Sequence, residues 1–191
     1  MLNPRPWLMP DHLIFWKGSI SMLDKKVSAL LNTQVNKEFY SAYLYLDFSN
    51  YYAHEGLDGF ANWYKVQTQE ERDHAMLMLQ YLLNNGEKVV FSAVDKPDQV
   101  LTKFEQPLHL GLEHERYVTS LINNIYAVAN EVKDFRTMQF LDWFVKEQGE
   151  EEQNAEDLIR KFDLFGNDPK GLYMLNSELK ARVYAAPSLV L

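Results

Sequence analysis

The sequence predicts an all-α domain: a four-helix bundle with a long crossover between the second and third helices and a short fifth helix at the carboxyl end. Two observations predict this fold. Four segments repeat apolar residues at three- and four-residue steps, as one face of a helix does. The connection between the second and third segments is much longer than antiparallel neighbours in a bundle require.

The first helix is expected to start near Ser21 and Asp24, which form the Ser-x-x-acid pattern of a helix amino terminus. Its apolar stripe continues to Phe48, and the glycines that follow mark its end. The second helix is expected to have Asp58 as its N-cap and an apolar stripe that reaches Tyr81. Two asparagines and a glycine then end it.

The crossover runs from Gly86 to about Leu101 and lacks a helical pattern. A helix of about 27 residues is about 40 Å long. About 15 extended residues at about 3.3 Å each cover that distance. The crossover can therefore return the chain along the bundle, which predicts that the second and third helices are parallel.

The third helix is expected to start with the capping pattern of Thr102 and Glu105, and Pro107 predicts a small kink or a shifted cap there. Asp134 is the expected cap of the fourth helix, which Gly166 closes. The pair Asp168-Pro169 supplies a cap and an N1 proline for a fifth helix that runs to about Arg182. The tail from 185 to 191 is expected to be flexible.

Composition and charge exclude several classes of function. The chain has 27 acidic and 19 basic residues, a formal charge of −8 and no basic patch, so nucleic acid is not an expected partner. Cysteine is absent, which excludes disulfides, thiolate zinc sites, iron–sulfur clusters and cysteine nucleophiles. This fits a reducing cytoplasm. No apolar run approaches about 20 residues, so no membrane partner is expected.

The chain divides into an extension, residues 1–21, and a helical domain, residues 22–191. Proline and charged residues interrupt the extension, so a signal peptide is not expected. Two interpretations stay open. Met22 is the natural start and the extension is untranslated or disordered, or the extension docks on the surface through its large aromatic residues, Trp7, Phe15 and Trp16.

Carboxylate and imidazole side chains lie on the stripes that should face the core. They are Glu38 in the first helix, Glu71 and His74 in the second, Glu115 in the third, and Glu147, Gln148, Glu150 and Glu151 in the fourth. A buried carboxylate needs a partner, and no lysine or arginine matches these positions. The pattern therefore predicts a cation between the helices.

The spacing of these residues favours two metal ions. Glu71 and His74 are three positions apart and face the same way, and Glu-x-x-His is used in di-iron carboxylate bundles. Oxygen and imidazole ligands suit iron, manganese or zinc. Glu71 is the natural bridge between ions about 3.5–4 Å apart, with Glu115 on the far side. Tyr45, two turns after Glu38, could hydrogen-bond a ligand or donate an electron.

Four motifs carry a resemblance to a known family. They are Asn36-Lys-Glu-Phe-Tyr-Ser-Ala-Tyr-Leu-Tyr, Gln69-Glu-Glu-Arg-Asp-His-Ala, His114-Glu-Arg-Tyr-Val-Thr and Trp143-Phe-Val-Lys-Glu-Gln-Gly-Glu-Glu-Glu. Together they resemble the bacterial non-haem ferritins, from about Met22 to Arg182. The resemblance implies a ferritin-like bundle that assembles into a shell of twenty-four subunits. Iron(II) would be oxidised there by oxygen or hydrogen peroxide and deposited inside as ferric oxide.

The resemblance also implies roles for single residues. Glu38, Glu71 and His74 would bind the first iron. Glu71 and Glu115 would bind the second, with Gln148 and Glu151 close by, and Tyr45 would lie beside the centre. A third, weaker iron site would use four carboxylates, those of Glu70, Glu147, Glu150 and Glu151.

Two departures separate the chain from neighbouring families. Bacterioferritins carry a second Glu-x-x-His in the fourth helix and a haem-ligating methionine after the bridging glutamate. Here those positions are Gln148 to Glu151, and Arg72, so no haem is expected. Rubrerythrins carry a cysteine-rich module, and this chain has no cysteine.

Three functions stay open from the sequence. The first is a ferroxidase that stores iron. The second is a small di-iron or di-manganese enzyme that consumes peroxide without forming a mineral. The third is a metal-free structural or partner-binding bundle. Native mass separates the first two, and metal content separates both from the third.

Overall fold

The computed structural model describes residues 22–191, and this part of the chain contains five helices and no strand. The expectations for residues 1–21 lie outside the described residues. The helices are α1 Lys25–His54, α2 Asp58–Asn84, α3 Gln106–Glu131, α4 Phe135–Phe165 and α5 Pro169–Leu179. The predicted fold class, a four-helix bundle with a fifth short helix, is confirmed. Within residues 22–191, no helix is long and apolar enough to span a membrane.

The crossover between α2 and α3 is extended and runs along α1. Asn32 fixes it by donating to the Val90 carbonyl at 2.9 Å and accepting from the Val90 amide at 2.7 Å. Along α1, Ser41 meets His114 whereas Tyr52 reaches back to Phe104, so α3 is antiparallel to α1. Since α1 and α2 form an antiparallel hairpin, α2 and α3 are parallel, as the length of the crossover predicted.

Two apolar cores fill the bundle, one toward each end. The first surrounds the start of α1 and the end of α2, and it includes Val27, Leu31, Met78, Ile122 and Phe144. The second surrounds the end of α1 and the start of α2, and it includes Phe48, Tyr52, Phe60, Leu108 and Leu158. Burying each large apolar side chain contributes about 1.5–3 kcal/mol. These cores offset the cost of the polar layer that lies between them.

Aspartate side chains cap three helices, as the sequence predicted for α4 and α5. Asp24 accepts from the Lys26 amide at 2.8 Å and begins α1. Asp134 accepts from the Thr137 amide at 3.0 Å. Asp168 accepts from the Gly171 amide at 2.7 Å. Each bond satisfies one of the amides that a helix start leaves unpaired.

The start of α3 is shifted, as Pro107 predicted, and α3 begins at Gln106. Proline is tolerated in the first turn, where its missing N–H has no helical partner to lose. The Gln106 side chain reaches back to accept from the backbone amides of Thr102 at 2.7 Å and Lys103 at 2.9 Å. Thr102 therefore stands before the helix and does not cap it.

The start of α2 differs from the prediction. Asp58 is the first helical residue and not the N-cap, and Leu57, which precedes it, makes no side-chain cap. Asn176 of α5 caps α2 instead, because its side-chain oxygen accepts from the amides of Gly59 at 2.7 Å and Phe60 at 3.3 Å. A partner 117 positions away cannot be read from a local pattern.

The chain after α5 returns along the bundle. The helix ends at Leu179, three residues before the predicted end. Beyond it, Arg182 bonds Glu70 of α2, Trp143 of α4 donates to the Ser188 hydroxyl at 3.0 Å, and Leu189 packs against the first core. Residues 180–191 therefore contact α2 and α4, in contrast to the flexible tail expected from the sequence.

Candidate metal centre

A layer of buried polar side chains separates the two cores, and each of α1 to α4 contributes to it. Its acidic and imidazole members are at most 6% exposed, and they are Glu38, Glu71, His74, Glu115 and Glu151. Among residues 22–191 no lysine or arginine is buried. Charges in this layer therefore lack an oppositely charged side chain of comparable burial, which is the situation that favours a bound cation.

Three of these residues converge most closely. Glu38, Glu71 and His74 each offer a ligand atom, and these atoms lie within 4.8 Å of one another. His74 Nδ1 is 3.4 Å from Glu71 Oε2. Glu38 Oε2 and Glu71 Oε1 are buried and have no hydrogen-bond partner. An unpaired buried oxygen is costly, and a cation between these atoms would satisfy both oxygens at once.

Glu115 of α3 is held by two neutral donors. The Tyr45 hydroxyl donates to Glu115 Oε1. Gln148 Nε2 donates to Glu115 Oε2 at 3.2 Å. The charge of Glu71 contributes, after burial, to the raised pKa of Glu115. Glu115 nevertheless lies outside the close group of three ligands.

Two glutamines donate hydrogen bonds to carboxylates of the buried layer, Glu38 and Glu151. Gln34 Nε2 donates to Glu38 Oε1 at 2.9 Å, and Gln67 Nε2 donates to Glu151 Oε2 at 2.6 Å. Both glutamines are buried. They lie on the predicted stripes of α1 and α2, and that position was the signal for a role that the sequence analysis did not assign to them. Neutral donors orient a carboxyl group without adding a competing positive charge, so its oxygens stay available for a metal ion.

Burial raises the carboxyl pKa values throughout this layer. It is the main cause of the raised pKa of Glu38 and of the Glu71 pKa well above its ordinary value. Burial first, and then the charge of Glu71, raise the pKa of Glu115 to about 8. Burial and the charge of Glu115 raise the pKa of Glu151 to about 8. With pKa values of about 8, Glu115 and Glu151 hold protons at neutral pH when no metal is bound, and metal binding would release them.

Tyr45 lies next to the centre, as predicted from its spacing. Burial, with the charge of Glu115, holds its pKa well above the ordinary value, so the phenol keeps its proton. A cavity of about 20 Å³ lies beside Tyr45 and Glu115, with Trp63 and Asn154 among its lining residues. This volume accommodates about one water molecule.

The residues expected to form a third site are not assembled as a ligand group in the part of the chain that the structure describes. Glu70 Oε2 accepts from Arg182 Nη2 at 2.6 Å. Glu150 is largely exposed and pairs with Lys146 at 3.2 Å. Glu147 is near enough to Glu70 for their charges to interact, but neither belongs to the close group of ligands.

The fold and this site together define a four-helix-bundle protein with a buried carboxylate–histidine group that could bind a metal ion. A family model described as ferritin-like domain matches residues 28–165. A bacterial non-heme ferritin of Bacteroides fragilis is 37% identical over 164 residues, which cover 84% of this chain and 100% of the relative. A probable bacterial non-heme ferritin-like protein of Haemophilus influenzae is 35% identical over 158 residues, which cover 83% and 96%.

Solved structures agree with these relatives. An open-pore ferritin from Archaeoglobus fulgidus superimposes with a TM-score of 0.82 at 40% identity, over 84% of this chain and 98% of that chain. An engineered closed form of the A. fulgidus ferritin gives a TM-score of 0.83 at 40% identity, over 85% and 99%. The chain belongs to the ferritin family, and the resemblance found in its four motifs is confirmed.

Proposed function

We propose that this protein stores iron, and that it oxidises iron(II) to iron(III) at a di-iron centre within each subunit. The observation that carries the proposal is the group of Glu38, Glu71 and His74, whose two orphaned carboxylate oxygens are buried beside an imidazole. Membership in the ferritin family supports iron as the metal. Oxygen and nitrogen donors are also suited to iron.

Each residue of the centre has a proposed role. Glu38, Glu71 and His74 bind the first iron(II). Glu71 bridges to the second iron(II), which Glu115 binds, with Gln148 and Glu151 close by. Two iron(II) ions together give up two electrons, enough to reduce oxygen to hydrogen peroxide or hydrogen peroxide to water. The raised pKa values of the carboxyls mean that they release protons as the ions bind.

Tyr45 is proposed to act at the second iron. Its hydroxyl donates to Glu115 Oε1, so it orients the carboxylate that binds there. Since burial keeps the phenol protonated, it can donate this bond at any physiological pH. Its position also allows it to donate an electron during reduction of the oxidant.

Storage is proposed to take place inside an assembly of subunits. Subunits assemble into a shell of twenty-four, and the oxidised iron is deposited inside it as ferric oxide. Glu70, Glu147 and Glu150, together with Glu151, would form a third and weaker iron site on the path by which iron leaves the centre, once Glu70 is released from Arg182. The ferritin neighbours in sequence and structure support the assembly.

Replacement of the bridging glutamate tests this function. Glu71→Ala should abolish rapid oxidation of iron(II) while leaving a folded shell, because it removes a ligand common to both ions. Stopped-flow absorbance of ferric product measures the rate, and circular dichroism with light scattering measures the fold and assembly. Glu131→Ala, at the exposed end of α3, is the matched control and should oxidise at the parent rate. Oxidation at the parent rate by Glu71→Ala would show that the centre is wrongly assigned.

A further inference from the structure

Arg182 is held against α2 by three contacts. Its Nη2 donates to Glu70 Oε2 at 2.6 Å, and its Nη1 donates to the Trp63 carbonyl at 3.2 Å. The guanidinium also lies over the Trp63 ring, 4.1 Å from the ring centroid. Stacking on an aromatic face and a short charge-assisted bond both favour arginine at this position. The guanidinium is therefore held in one place by Glu70 and Trp63 and is not a freely moving surface charge.

The segment that carries Arg182 is anchored on both sides of it. Before it, Asn62 Nδ2 donates to the Leu179 carbonyl at 3.2 Å and to the carbonyl of Arg182 itself at 3.0 Å. After it, the Tyr184 hydroxyl donates to Asp73. Farther along, Trp143 bonds Ser188 and Leu189 packs on the first core. Residues 180–191, here called the C-terminal strap, thus cover part of the surface formed by α2 and α4.

Glu70, the partner of Arg182, directly precedes the bridging Glu71 in the chain. The Glu70 side chain is 19% exposed, and that of Arg182 is 17% exposed, so the pair is largely shielded from water. Burial raises the Glu70 pKa, the charge of Arg182 lowers it, and Glu147 on α4 adds a smaller raising effect. A metal ion bound by Glu70 and Glu147 would need the carboxylate that the guanidinium occupies. Arg182 occupies Glu70 Oε2, and its fixed positive charge repels a divalent ion from the same carboxylate, so the guanidinium and a metal ion compete for Glu70.

We propose that Arg182 occupies the third cation position, so that each subunit holds two divalent ions while the C-terminal strap is docked and gains a third only when the strap detaches. Arg182 is then a specificity-determining residue of the centre. The strap controls whether Glu70 and Glu147 are available to a metal ion. This inference rests on the proposed di-iron function.

A groove next to the strap links it to the centre. The groove has a volume of about 370 Å³, and Trp63, Asn154 and Arg182 are among its lining residues. Trp63 and Asn154 also line the small cavity beside Glu115. Detachment of Arg182 from Trp63 would therefore open the surface at the point where it approaches the carboxylates.

The number of ions bound per subunit tests the inference without reference to activity. Metal-free protein is dialysed anaerobically against increasing Co²⁺, and bound cobalt is counted per subunit. The parent should bind two ions and Arg182→Ala three, because the substitution frees the Glu70 carboxylate. Adding Glu70→Gln to Arg182→Ala should return the count to two. Arg160→Ala is the control, since Arg160 pairs only with Asp157 on the exposed side of α4, and it should bind two.

Other counts would overturn the inference. Three ions of similar affinity in the parent would show that Arg182 does not exclude the third. Two ions in a folded Arg182→Ala protein would show that its removal does not create a site. If circular dichroism shows that Arg182→Ala is unfolded, Arg182→Gln, which keeps a long side chain without the charge, should bind three ions and is judged in the same way. A parent that binds no cobalt would contradict the di-iron function itself.

Discussion

The carboxylates of the centre are oriented by uncharged donors. Gln34 holds Glu38, and the Tyr45 hydroxyl and Gln148 hold Glu115. A lysine or arginine in these positions would neutralise the carboxylate and compete with metal. Amide and phenol donors fix the direction of the oxygens without adding a positive charge that would compete with a metal ion. The centre is therefore preorganised for a cation, and it holds protons until the cation arrives.

The proton content of the centre predicts how the metal-free protein responds to pH. Folding raises the Glu115 pKa from 4.5 to about 8, so between these values the folded state holds a proton that the unfolded chain has lost. Stability from this group is complete below pH 4.5 and falls as pH rises toward 8. The loss is up to about 1.4 kcal/mol per pH unit.

Urea unfolding of metal-free protein at pH 5.5 and pH 8 measures this loss. The parent should lose more free energy of unfolding over that range than Glu115→Gln, which is neutral at both values. Glu113→Gln, exposed on the same helix, is the control and should follow the parent. Equal losses in the parent and Glu115→Gln would contradict the raised pKa.

Tyr45 gives a second prediction at this scale. Tyr45→Phe keeps the ring packed between Phe48 and Tyr64 but removes the hydroxyl that donates to Glu115. Iron oxidation should slow roughly tenfold or more, in line with the loss of one hydrogen bond to a charged group. Binding of two Co²⁺ ions should be preserved. Tyr43→Phe, at an exposed position two residues earlier, is the matched control. An unchanged oxidation rate would reduce Tyr45 to a packing residue.

The residues of the centre could be predicted from the sequence only where their position on the apolar face of a helix showed that they would be buried. Glu38, Glu115 and Glu151 were found because each lies on the apolar stripe of its own helix, and the structure buries all three. The pairing of Glu70 with Arg182 spans 112 positions and depends on how the chain returns after α5. No local pattern encodes that return, so the sequence assigned Glu70 to the third iron site and gave no sign of its arginine partner.

At the scale of elements, α5 and the start of α2 depend on each other. Asn176 of α5 supplies the cap that α2 lacks, and it does so by lying directly on the first turn. A Cβ on Gly59 would come within 1.7 Å of the Asn176 carbonyl oxygen. The glycine is therefore needed for close approach of the two helices. The sequence predicted only that the two glycines near this point break the chain between α1 and α2.

Gly59→Ala should accordingly displace α5 and destabilise the fold. The expected loss is about 1–3 kcal/mol, typical of overpacking a close contact. Gly149→Ala is the matched control, because a Cβ there meets nothing within 4 Å and lies within α4. It should be neutral or stabilising by up to about 1 kcal/mol. Urea unfolding measures both, and a Gly59→Ala protein as stable as the parent would contradict the close contact.

Capping shows where local sequence is sufficient. Asp134 and Asp168 were predicted as caps and are caps, because a cap and its amide partner lie within three residues of each other. Asp58 was predicted as a cap and is the first helical residue instead. The sequence around Asp58 fits an N-cap. Asn176 from another helix instead accepts from the amides of Gly59 and Phe60 in the first turn, so tertiary packing and not local sequence determines how α2 is capped.

The whole molecule places a charged layer between two apolar cores. The cores provide the stability, and the layer between them provides the chemistry at some cost in stability when no metal is bound. The topology was predictable because helix lengths and one long connection constrain it. The route of the C-terminal strap was not, because the contacts that hold it are few, polar and distant in sequence.

Oligomeric size and iron retention are properties of the whole molecule. Measured together, they test most directly the claim that this protein stores iron in an assembled shell. Purified protein is loaded aerobically with iron(II) and passed through a size-exclusion column with light scattering and ferric absorbance read together. The account predicts a particle of about two dozen subunits that elutes with its iron. A monomer or dimer that oxidises iron without retaining it would contradict storage and indicate a small redox enzyme, and a species that does neither would contradict both.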